Sequence, residues 1–388
     1  MKYRKFGSLD WEASLLGFGA MRFPVIDGDS SKIDEEKATA MIRHAIDNGV
    51  NYVDTAYPYH GGNSEPVVGR ILQDGYREKV RLATKMPSWL IKEAADFDRY
   101  LDEQLERLQT DTIDFYLLHA LSAGHWPPLR DNDVFKWAEK ALSDGRIQHL
   151  GFSFHDKYEL FEELIDATDL WTFCQIQYNY MDIEEQAGTK GLKYAASKGL
   201  AVVIMEGLLG GRLAKAPASV QKIWDSTPVE RKPVDWALRW LWDQPEVSLV
   251  LSGMTEMSQL EENLVIADSA EIGCLTVEDH ARIAMVTEEY RRLSPIPCTK
   301  CEYCLPCPEG VDIPGNIDVF NNGVMYESFK EMGQIYTLYV NDDAKADNCI
   351  ACRECEDKCP QSIPISEWMP YIHSTLTGEM VYDGRLLP

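Results

Sequence analysis

Cysteine residues are concentrated in two blocks near the end of this sequence. The blocks read Cys298-x2-Cys301-x2-Cys304-x2-Cys307-Pro308 and Cys349-x2-Cys352-x2-Cys355-x3-Cys359-Pro360. Three cysteines at three-residue spacing can bind three corners of a 4Fe-4S cluster, and a fourth that precedes proline commonly binds the other cluster of a pair. The spacing therefore predicts two clusters, whose chemistry is the transfer of single electrons.

By this pattern the ligands cross between the two blocks. One cluster takes Cys298, Cys301, Cys304 and Cys359, and the second takes Cys349, Cys352, Cys355 and Cys307. The first block has two residues, rather than the commoner three, before its last cysteine, and this departure bears on the cross-ligation. A pair of zinc sites is the alternative, because two CxxC pairs can bind zinc, but runs of four that end in Cys-Pro favour iron–sulfur.

A second reactive set lies at the ends of predicted strands in the first half of the chain. Asp54, Lys85 and His119 end or nearly end three successive strands, and Tyr59 follows five residues after Asp54. Because active sites of α/β barrels gather at the carboxyl ends of the strands, these four side chains are predicted to share one pocket.

This set suits carbonyl reduction. A hydride delivered to a carbonyl carbon leaves negative charge on the oxygen, which needs a proton donor within reach. The pKa of free tyrosine is about 10, and the Lys85 ammonium is expected to lower the pKa of Tyr59 while Asp54 holds Lys85. His119 could hydrogen-bond the substrate oxygen. The alternatives are a helix cap at Asp54, a loop aromatic at Tyr59 and a purely structural Asp54–Lys85 pair.

The elements that must position these residues alternate between strand and helix. Apolar runs predict eight strands, at Leu15–Gly19, Tyr52–Ala56, Val80–Lys85, Ile113–His119, Ile147–Ser153, Phe173–Asn179, Leu200–Glu206 and Val247–Gly253. Amphipathic patterns predict helices at Glu35–Asn48, Ser64–Asp74, Asp98–Gln109, Asp133–Asp144, Lys157–Ala167, Glu184–Lys198 and Val234–Asp243. Eight such units favour a (β/α)8 barrel over a doubly wound open sheet.

Length and charge narrow the class of protein further. The 388-residue chain carries 38 Lys and Arg against 63 Asp and Glu, a net charge of −25. This acidity argues against a protein that binds nucleic acid and against one that binds an anionic membrane surface, since either kind of binding needs a basic protein surface. No apolar run reaches the roughly 20 residues that span a bilayer, and the N-terminus lacks an apolar signal segment. We therefore expect a cytoplasmic protein in a reducing compartment.

The chain divides at a proline-containing linker, Ser294–Pro297. Residues 1–293 are predicted to form the barrel domain, and residues 294–388 a second domain that holds the cysteine blocks. The segment between the blocks is long enough for helices.

Residues from about Tyr3 to Ala267 resemble the aldo/keto reductase family. The family's Asp-Thr-Ala-x-x-Tyr motif is found at Asp54–Tyr59, its Thr-Lys strand end at Thr84-Lys85 and its strand-four histidine at His119. The opening Leu16-Gly-Phe-Gly-Ala-Met21 and the later Glu262-Asn263-Leu264 also match. The whole arrangement resembles the subgroup fused to a C-terminal, mainly helical two-cluster ferredoxin domain. The resemblance implies a TIM barrel and a catalytic tetrad of Asp54, Tyr59, Lys85 and His119.

The resemblance also implies a nicotinamide cofactor bound without a glycine-rich Rossmann loop. The residues it places at the cofactor are Gly19, Met21, Ser153, Gln175, Met205, Gly211, Gly253, Gln259 and Asn263. Three positions depart from the family pattern. The seventh strand, which in the family commonly ends in a tyrosine that stacks on nicotinamide, here ends in Met205-Glu206-Gly207. Phe154 replaces an asparagine, and Gln259 replaces the arginine that binds the 2′-phosphate of NADP. Loss of that cation favours NADH over NADPH.

These features together predict an oxidoreductase that reduces a carbonyl-type small molecule, with electrons linked to two 4Fe-4S clusters and NAD(P)H. One alternative is a reductase fed single electrons by ferredoxin or another redox partner, without hydride transfer. Another is a non-catalytic electron-transfer or redox-sensing protein whose barrel only binds a nucleotide. No feature of the sequence identifies a flavin.

Overall fold

A computed structural model describes residues 1–298, 300, 302–359 and 361–384. The chain forms two compact units, one of Met1–Gly210 and Val234–Val277, the other of Gly211–Pro233 and Glu278–Pro388. The second unit thus takes in a segment of the barrel-domain sequence as well as the cysteine blocks. The boundary expected at residue 293 stays a prediction of where an independent domain begins.

The first unit contains a closed barrel of eight parallel strands. The barrel strands are β3 (Leu16–Gly19), β4 (Tyr52–Asp54), β5 (Arg81–Met86), β6 (Ile113–Leu121), β7 (Ile147–Phe154), β8 (Trp171–Gln177), β9 (Ala201–Met205) and β10 (Val247–Ser252), and β10 closes onto β3. The prediction of a (β/α)8 barrel is confirmed, and the open-sheet alternative is wrong. The strands are staggered, so that Asp54 is paired with Ala83 and Lys85 with Leu117, as the tilt of a closed barrel requires.

A hairpin that the sequence patterns did not predict covers the amino-terminal end of the barrel. It consists of β1 (Tyr3–Lys5) and β2 (Glu12–Ser14). Phe6, between the two strands, is fully buried and its ring lies 4.8 Å from that of Phe115. The apolar interior therefore extends to this plug, and only the other end of the barrel is left for chemistry.

Helices alternate with the strands around the barrel. In the first unit they are α1 (Glu35–Asp47), α2 (Ser64–Ile71), α3 (Ala95–Leu108), α4 (Trp126–Asp131), α5 (Val134–Ser143), α6 (Tyr158–Asp166), α7 (Gly188–Ser197), α9 (Pro233–Trp242) and α10 (Met257–Ser269). Short 3-10 turns occur at Ala20–Arg22, Tyr59–Gly62, Arg77–Lys79, Ser88–Leu90 and Leu209–Ala214. No described helix has both the length and the apolar character needed to cross a membrane.

The second unit is mainly helical. Its helices are α8 (Ala218–Trp224), α11 (Val277–Arg292), α12 (Ile313–Met325), α13 (Phe329–Tyr339) and α14 (Ile365–Leu376), with 3-10 turns at Asp342–Ala344 and Ala346–Asn348. Phe320, Trp368 and Ile372 belong to its apolar core, against which six cysteines of the two blocks lie. The second unit therefore has an apolar core separate from that of the barrel, and these cysteines pack against it.

Candidate functional site

Alternation along the strands selects the side chains at the carboxyl end of the barrel, here called the barrel mouth. Tyr52, Ala83 and Leu117 point into the barrel core. Because strand side chains alternate with period two, the next inward positions are those two residues later. Around the barrel they are Gly19, Asp54, Lys85, His119, Ser153, Gln175, Met205 and Gly253. Simple alternation along all eight strands therefore brings most of the predicted tetrad and nicotinamide-site residues to one layer.

Asp54, Lys85 and Tyr59 meet within hydrogen-bonding distance at one side of the barrel mouth, and His119 lies beside Tyr59. The Lys85 ammonium donates to Asp54 Oδ1 at 2.5 Å and to the Thr55 carbonyl at 2.8 Å. The same Nζ lies 3.4 Å from the Tyr59 hydroxyl. The Tyr59 and His119 rings are 6.1 Å apart and nearly perpendicular. A polar substrate atom between Tyr59 and His119 would meet both side chains.

Lys85 is a buried cation. Its side chain is 1% exposed. Burial lowers its pKa, but the attraction of Asp54 and Tyr59 outweighs burial, so the pKa of Lys85 lies above its usual value. Lys85 therefore carries its charge over the whole physiological range.

The expectation that the pKa of Tyr59 is lowered is wrong, because its net shift is upward although Lys85 by itself lowers it. Burial is the largest influence and raises the pKa of Tyr59, while Lys85 opposes it and Asp54 and Glu206 add to the rise. The phenol is therefore protonated at neutral pH, which is the form a proton donor needs. Burial also raises the pKa of Asp54, against the pull of Lys85.

His119 is a neutral, partly buried imidazole. Burial holds its pKa well below the usual value, and the charge of Lys85 acts in the same direction. Its Nδ1 atom is buried without a hydrogen-bond partner. The Ser153 hydroxyl accepts the amide N–H of Ala120 at 2.7 Å, and Ala120 has a left-handed φ of 53°. Ser153 thus fixes the strand end that carries His119.

A buried polar network supports the Lys85 strand end from behind, and the sequence patterns missed it. Glu65 accepts hydrogen bonds from Thr84 (2.6 Å), Gln104 (2.5 Å) and Arg107 (3.3 Å). Gln104 also donates to the Lys85 carbonyl at 3.0 Å. The available signal was helical periodicity, because Gln104 lies on the buried stripe of α3 with Tyr100 and Leu101.

His60 has a structural role beside Tyr59. Its Nε2 accepts the amide N–H of Phe23 at 3.2 Å, so its Nδ1 is the atom that donates to the Ser30 carbonyl at 2.6 Å. The left-handed φ values of 55° at His60 and 64° at Gly61 turn the chain here. His60 thereby ties the loop that carries Tyr59 to the loop after β3.

The residues predicted to touch nicotinamide fall into separate groups. Gln175 lies in the barrel-mouth layer, is 2% exposed and has a buried Oε1 without a hydrogen-bond partner. Such an orphaned acceptor fits the N–H donors of a carboxamide. Met21 is half exposed, and Asn263 is buried and donates to Ser252 Oγ at 3.1 Å. Gly211 belongs to the second unit.

The Gln259 side chain is hydrogen-bonded to backbone amides at the N-terminus of α10. Its Oε1 accepts the amide N–H groups of Thr255 (2.9 Å) and Glu256 (3.3 Å). The Glu256 side chain accepts in return from the amide of Gln259, which completes a capping box. The Glu256 carboxylate therefore accepts a backbone N–H that would otherwise lack a partner at this helix end.

The described cysteines of the two blocks line two small cavities. Cys307 shares one cavity with Cys349, Cys352 and Cys355, and Cys359 shares the other with Cys298. Cys304 borders both. The described cysteines form no disulfide, and Cys301 lies outside the described residues. Thiols facing a common cavity are a donor set that fits an iron–sulfur cluster. Among the described residues, no three His, Cys, Asp or Glu approach closely enough to hold a single metal ion.

The two blocks have the same backbone conformation at matching positions. Left-handed φ values occur at Lys300 (54°) and Glu302 (62°) in the first block and at Ala351 (56°) and Arg353 (68°) in the second. Each is two or four residues after the first cysteine of its block. Strain of this kind persists where the surroundings demand it. The described residues of the two blocks therefore share this left-handed conformation, although the final spacing of the first block is shorter.

A larger cavity of about 1190 Å³ lies within the second unit. Phe329, Leu376 and Tyr382 are among its lining residues, and none of the predicted site residues is.

Comparisons with known proteins cover both parts of the chain. The aldo/keto reductase family model matches residues 15–288, and the 4Fe-4S dicluster domain model matches residues 297–363. L-galactose dehydrogenase of Arabidopsis thaliana is 27% identical over 316 residues, which span 76% of this chain and 97% of the plant protein. The aldo-keto reductase YhdN of Bacillus subtilis is 28% identical over 301 residues, 67% of this chain and 87% of its own.

Solved structures show the same barrel. The holo form of aldo-keto reductase AKR11C1 from Bacillus halodurans has a TM-score of 0.63 and 25% identity, and covers 74% of this chain and 96% of its own. An aldo-keto reductase from Klebsiella pneumoniae, solved in complex with NADPH, has a TM-score of 0.61 and 23% identity, with 74% of this chain and 95% of its own covered.

Proposed function

This chain belongs to the aldo/keto reductase family and carries a C-terminal 4Fe-4S dicluster domain, and from this premise we propose that it reduces a carbonyl-type small molecule at Asp54, Tyr59, Lys85 and His119. The observation that carries the proposal is the buried Lys85 ammonium, bonded to Asp54 at 2.5 Å and 3.4 Å from the Tyr59 hydroxyl. A structural ion pair alone would not need a phenol at its open side.

Each tetrad residue has a distinct part in this proposal. Tyr59 donates its hydroxyl proton to the carbonyl oxygen, and Lys85 stabilises the phenolate that remains. Asp54 keeps Lys85 in place, and neutral His119 hydrogen-bonds the substrate oxygen. When bound, nicotinamide supplies a hydride to the carbonyl carbon and the two clusters carry single electrons. We propose the cluster ligands as the two crossed sets, in which Cys307 and Cys359 each join the other block.

We propose NADH rather than NADPH as the nicotinamide. The support is the capping box at α10, where Gln259 is engaged with the backbone and Glu256 places a carboxylate at the helix end. A 2′-phosphate at this position would meet a negative charge and no bidentate cation. NADH should therefore bind at least about tenfold more tightly than NADPH, which corresponds to about 1.4 kcal/mol.

The test is a reductive titration of the anaerobically purified protein. Iron assays should give about eight iron per chain for two cubane clusters, and NADH should bleach the iron–sulfur absorbance. Tyr59→Phe should lower the turnover of carbonyl substrates by about 10² or more while the iron content stays unchanged. Full turnover in Tyr59→Phe would contradict the proton-donor role. Absence of binding by either nucleotide would contradict the hydride route and favour electrons fed through the clusters.

A further inference from the structure

The barrel mouth is chemically divided into two halves. In the closed strand order, β4, β5 and β6 are adjacent and carry Asp54, Lys85 and His119. The half across from them is formed by β8, β9 and β10. A hydride donor must approach a carbonyl that touches Tyr59 and His119, so a nicotinamide ring must lie toward this second half.

The second half presents an unpaired hydrogen-bond acceptor and two positions without a side chain, and the Arg22 side chain packs against one of these, Gly253. Gly253 and Gly19 put no side chain into the barrel-mouth layer at the ends of β10 and β3. Gln175 at β8 contributes a buried Oε1 that has no donor. A flat ring with N–H donors suits this surface.

Glu206 adds a negative charge directly at the end of β9. The residue follows Met205, the last residue of that strand, and its backbone has a left-handed φ of 56°. Its carbonyl is held by Asn179 Nδ2 at 3.2 Å and by the Leu209 amide at 2.9 Å. Its carboxylate has no ion pair or hydrogen bond within the part of the chain that the structure describes. Glu206 thus lies next to Met205 at the barrel mouth, on the half across from Lys85, and after burial and Asp54 its charge adds to the raised pKa of Tyr59.

We propose that the Glu206 carboxylate makes this site bind the cationic nicotinamide ring of NAD⁺ more tightly than the neutral ring of NADH, an inference that rests on the proposed use of nicotinamide. A charge acts on the cation and hardly on the neutral ring, because the Coulomb energy needs both charges. Thermodynamic linkage then makes the bound couple a stronger reductant than the free couple. A tenfold preference for NAD⁺ corresponds to a potential about 30 mV more negative for this two-electron couple.

The experiment measures dissociation constants for NAD⁺ and NADH with the full-length, cluster-containing protein. In Glu206→Gln, the ratio of the NADH constant to the NAD⁺ constant should fall by about tenfold, mainly through weaker NAD⁺ binding. Glu206→Asn is the second variant, because asparagine tolerates the left-handed backbone that position 206 requires. Glu184→Gln, an exposed carboxylate in the loop after β8, is the matched control and should leave the ratio unchanged.

The outcomes separate this inference from the proposed function. Binding of both nucleotides with a ratio that stays within twofold in Glu206→Gln and Glu206→Asn would overturn the role of Glu206 alone. Failure of the wild-type protein to bind either nucleotide would overturn the nicotinamide proposal and this inference together. A drop in the ratio in both neutral variants, but not in Glu184→Gln, supports the inference.

Discussion

Tyr59 is subject to two opposing influences, and their balance decides its chemistry. Removal from water raises the pKa of the phenol, and the ammonium of Lys85 lowers it by favouring the phenolate. Burial prevails before substrate binds, so the resting site holds a protonated phenol beside a permanent cation. Lys85 then acts mainly when the proton leaves, because its attraction for the phenolate appears only at that moment.

This balance predicts the pH dependence of reduction. The raised pKa of Tyr59 keeps the donor protonated, and the lowered pKa of His119 keeps the imidazole neutral, throughout neutral pH. The kcat for reduction should therefore be flat from about pH 6 to 9, and it should fall only above the ordinary tyrosine value of about 10. Stopped-flow or steady-state kcat measured across this range is the check. A step of tenfold or more between pH 6 and 7, lost in His119→Gln, would show that His119 titrates there.

At the scale of elements, the network of α2, α3 and β5 holds the Lys85 strand end. Glu65 is fully buried, and its partners Thr84, Gln104 and Arg107 come from β5 and α3. Removing one member of a buried charged network leaves the others without partners, which costs more than the net contribution of the network.

Glu65→Gln should therefore destabilise the barrel by about 3 kcal/mol. The new amide nitrogen would replace one carboxylate oxygen and would face a donor, either Arg107 or the pair Thr84 and Gln104, from which that oxygen now accepts. Urea unfolding followed by far-UV circular dichroism measures this change in stability. A lower kcat would report that the Lys85 side chain is displaced from its position in the site. The matched control is Glu106→Gln on the exposed face of α3, for which we expect less than about 0.5 kcal/mol. Equal effects of the two substitutions would contradict the proposed support of Lys85.

Barrel strands were predictable because burial on both faces produces apolar runs, and the tetrad followed because polar residues end those runs. The β1–β2 hairpin escaped prediction because three-residue strands leave no periodic signal. The helix α4 escaped because Pro127 and Pro128 suggest a helix break, although proline is tolerated in the first turn, where its missing N–H has no partner to lose. The pKa of Tyr59 could not be predicted, because the degree of burial that decides its direction is a property of the folded loop.

On the scale of the whole molecule, the duplicated cysteine blocks lead into equivalent helices. Each block ends in a Cys-Pro and continues into an Ile-Pro or Pro-Ile segment at the start of α12 or α14. Gly310 and Ser362, each three residues after the last cysteine, share a left-handed φ, of 76° and 52°. The two blocks therefore share a turn at the same distance after their last cysteine.

Crossed ligation predicts which pairs of cysteine substitutions affect the same cluster. Cys307→Ser and Cys352→Ser should each remove the second cluster, so each variant, and also the double variant, should keep about four iron per chain. Cys307→Ser combined with Cys298→Ser should instead remove both clusters and leave almost none. Anaerobic iron and sulfide assays, with electron paramagnetic resonance of the reduced protein, provide the counts. Cys274→Ser, a half-buried thiol of the first unit, is the control and should keep about eight.

Ligation within each block predicts the reverse pattern, and this makes the double variants decisive. If Cys307 belonged with Cys298, that pair would keep about four iron, and the pair Cys307→Ser with Cys352→Ser would keep almost none. The structure favours the crossed result, because Cys307 lines the cavity of Cys349, Cys352 and Cys355, and Cys359 lines that of Cys298. Crossed ligands would also make each cluster bind both blocks at once, so that loss of either cluster loosens the whole iron–sulfur domain and lowers its thermal midpoint in both single variants.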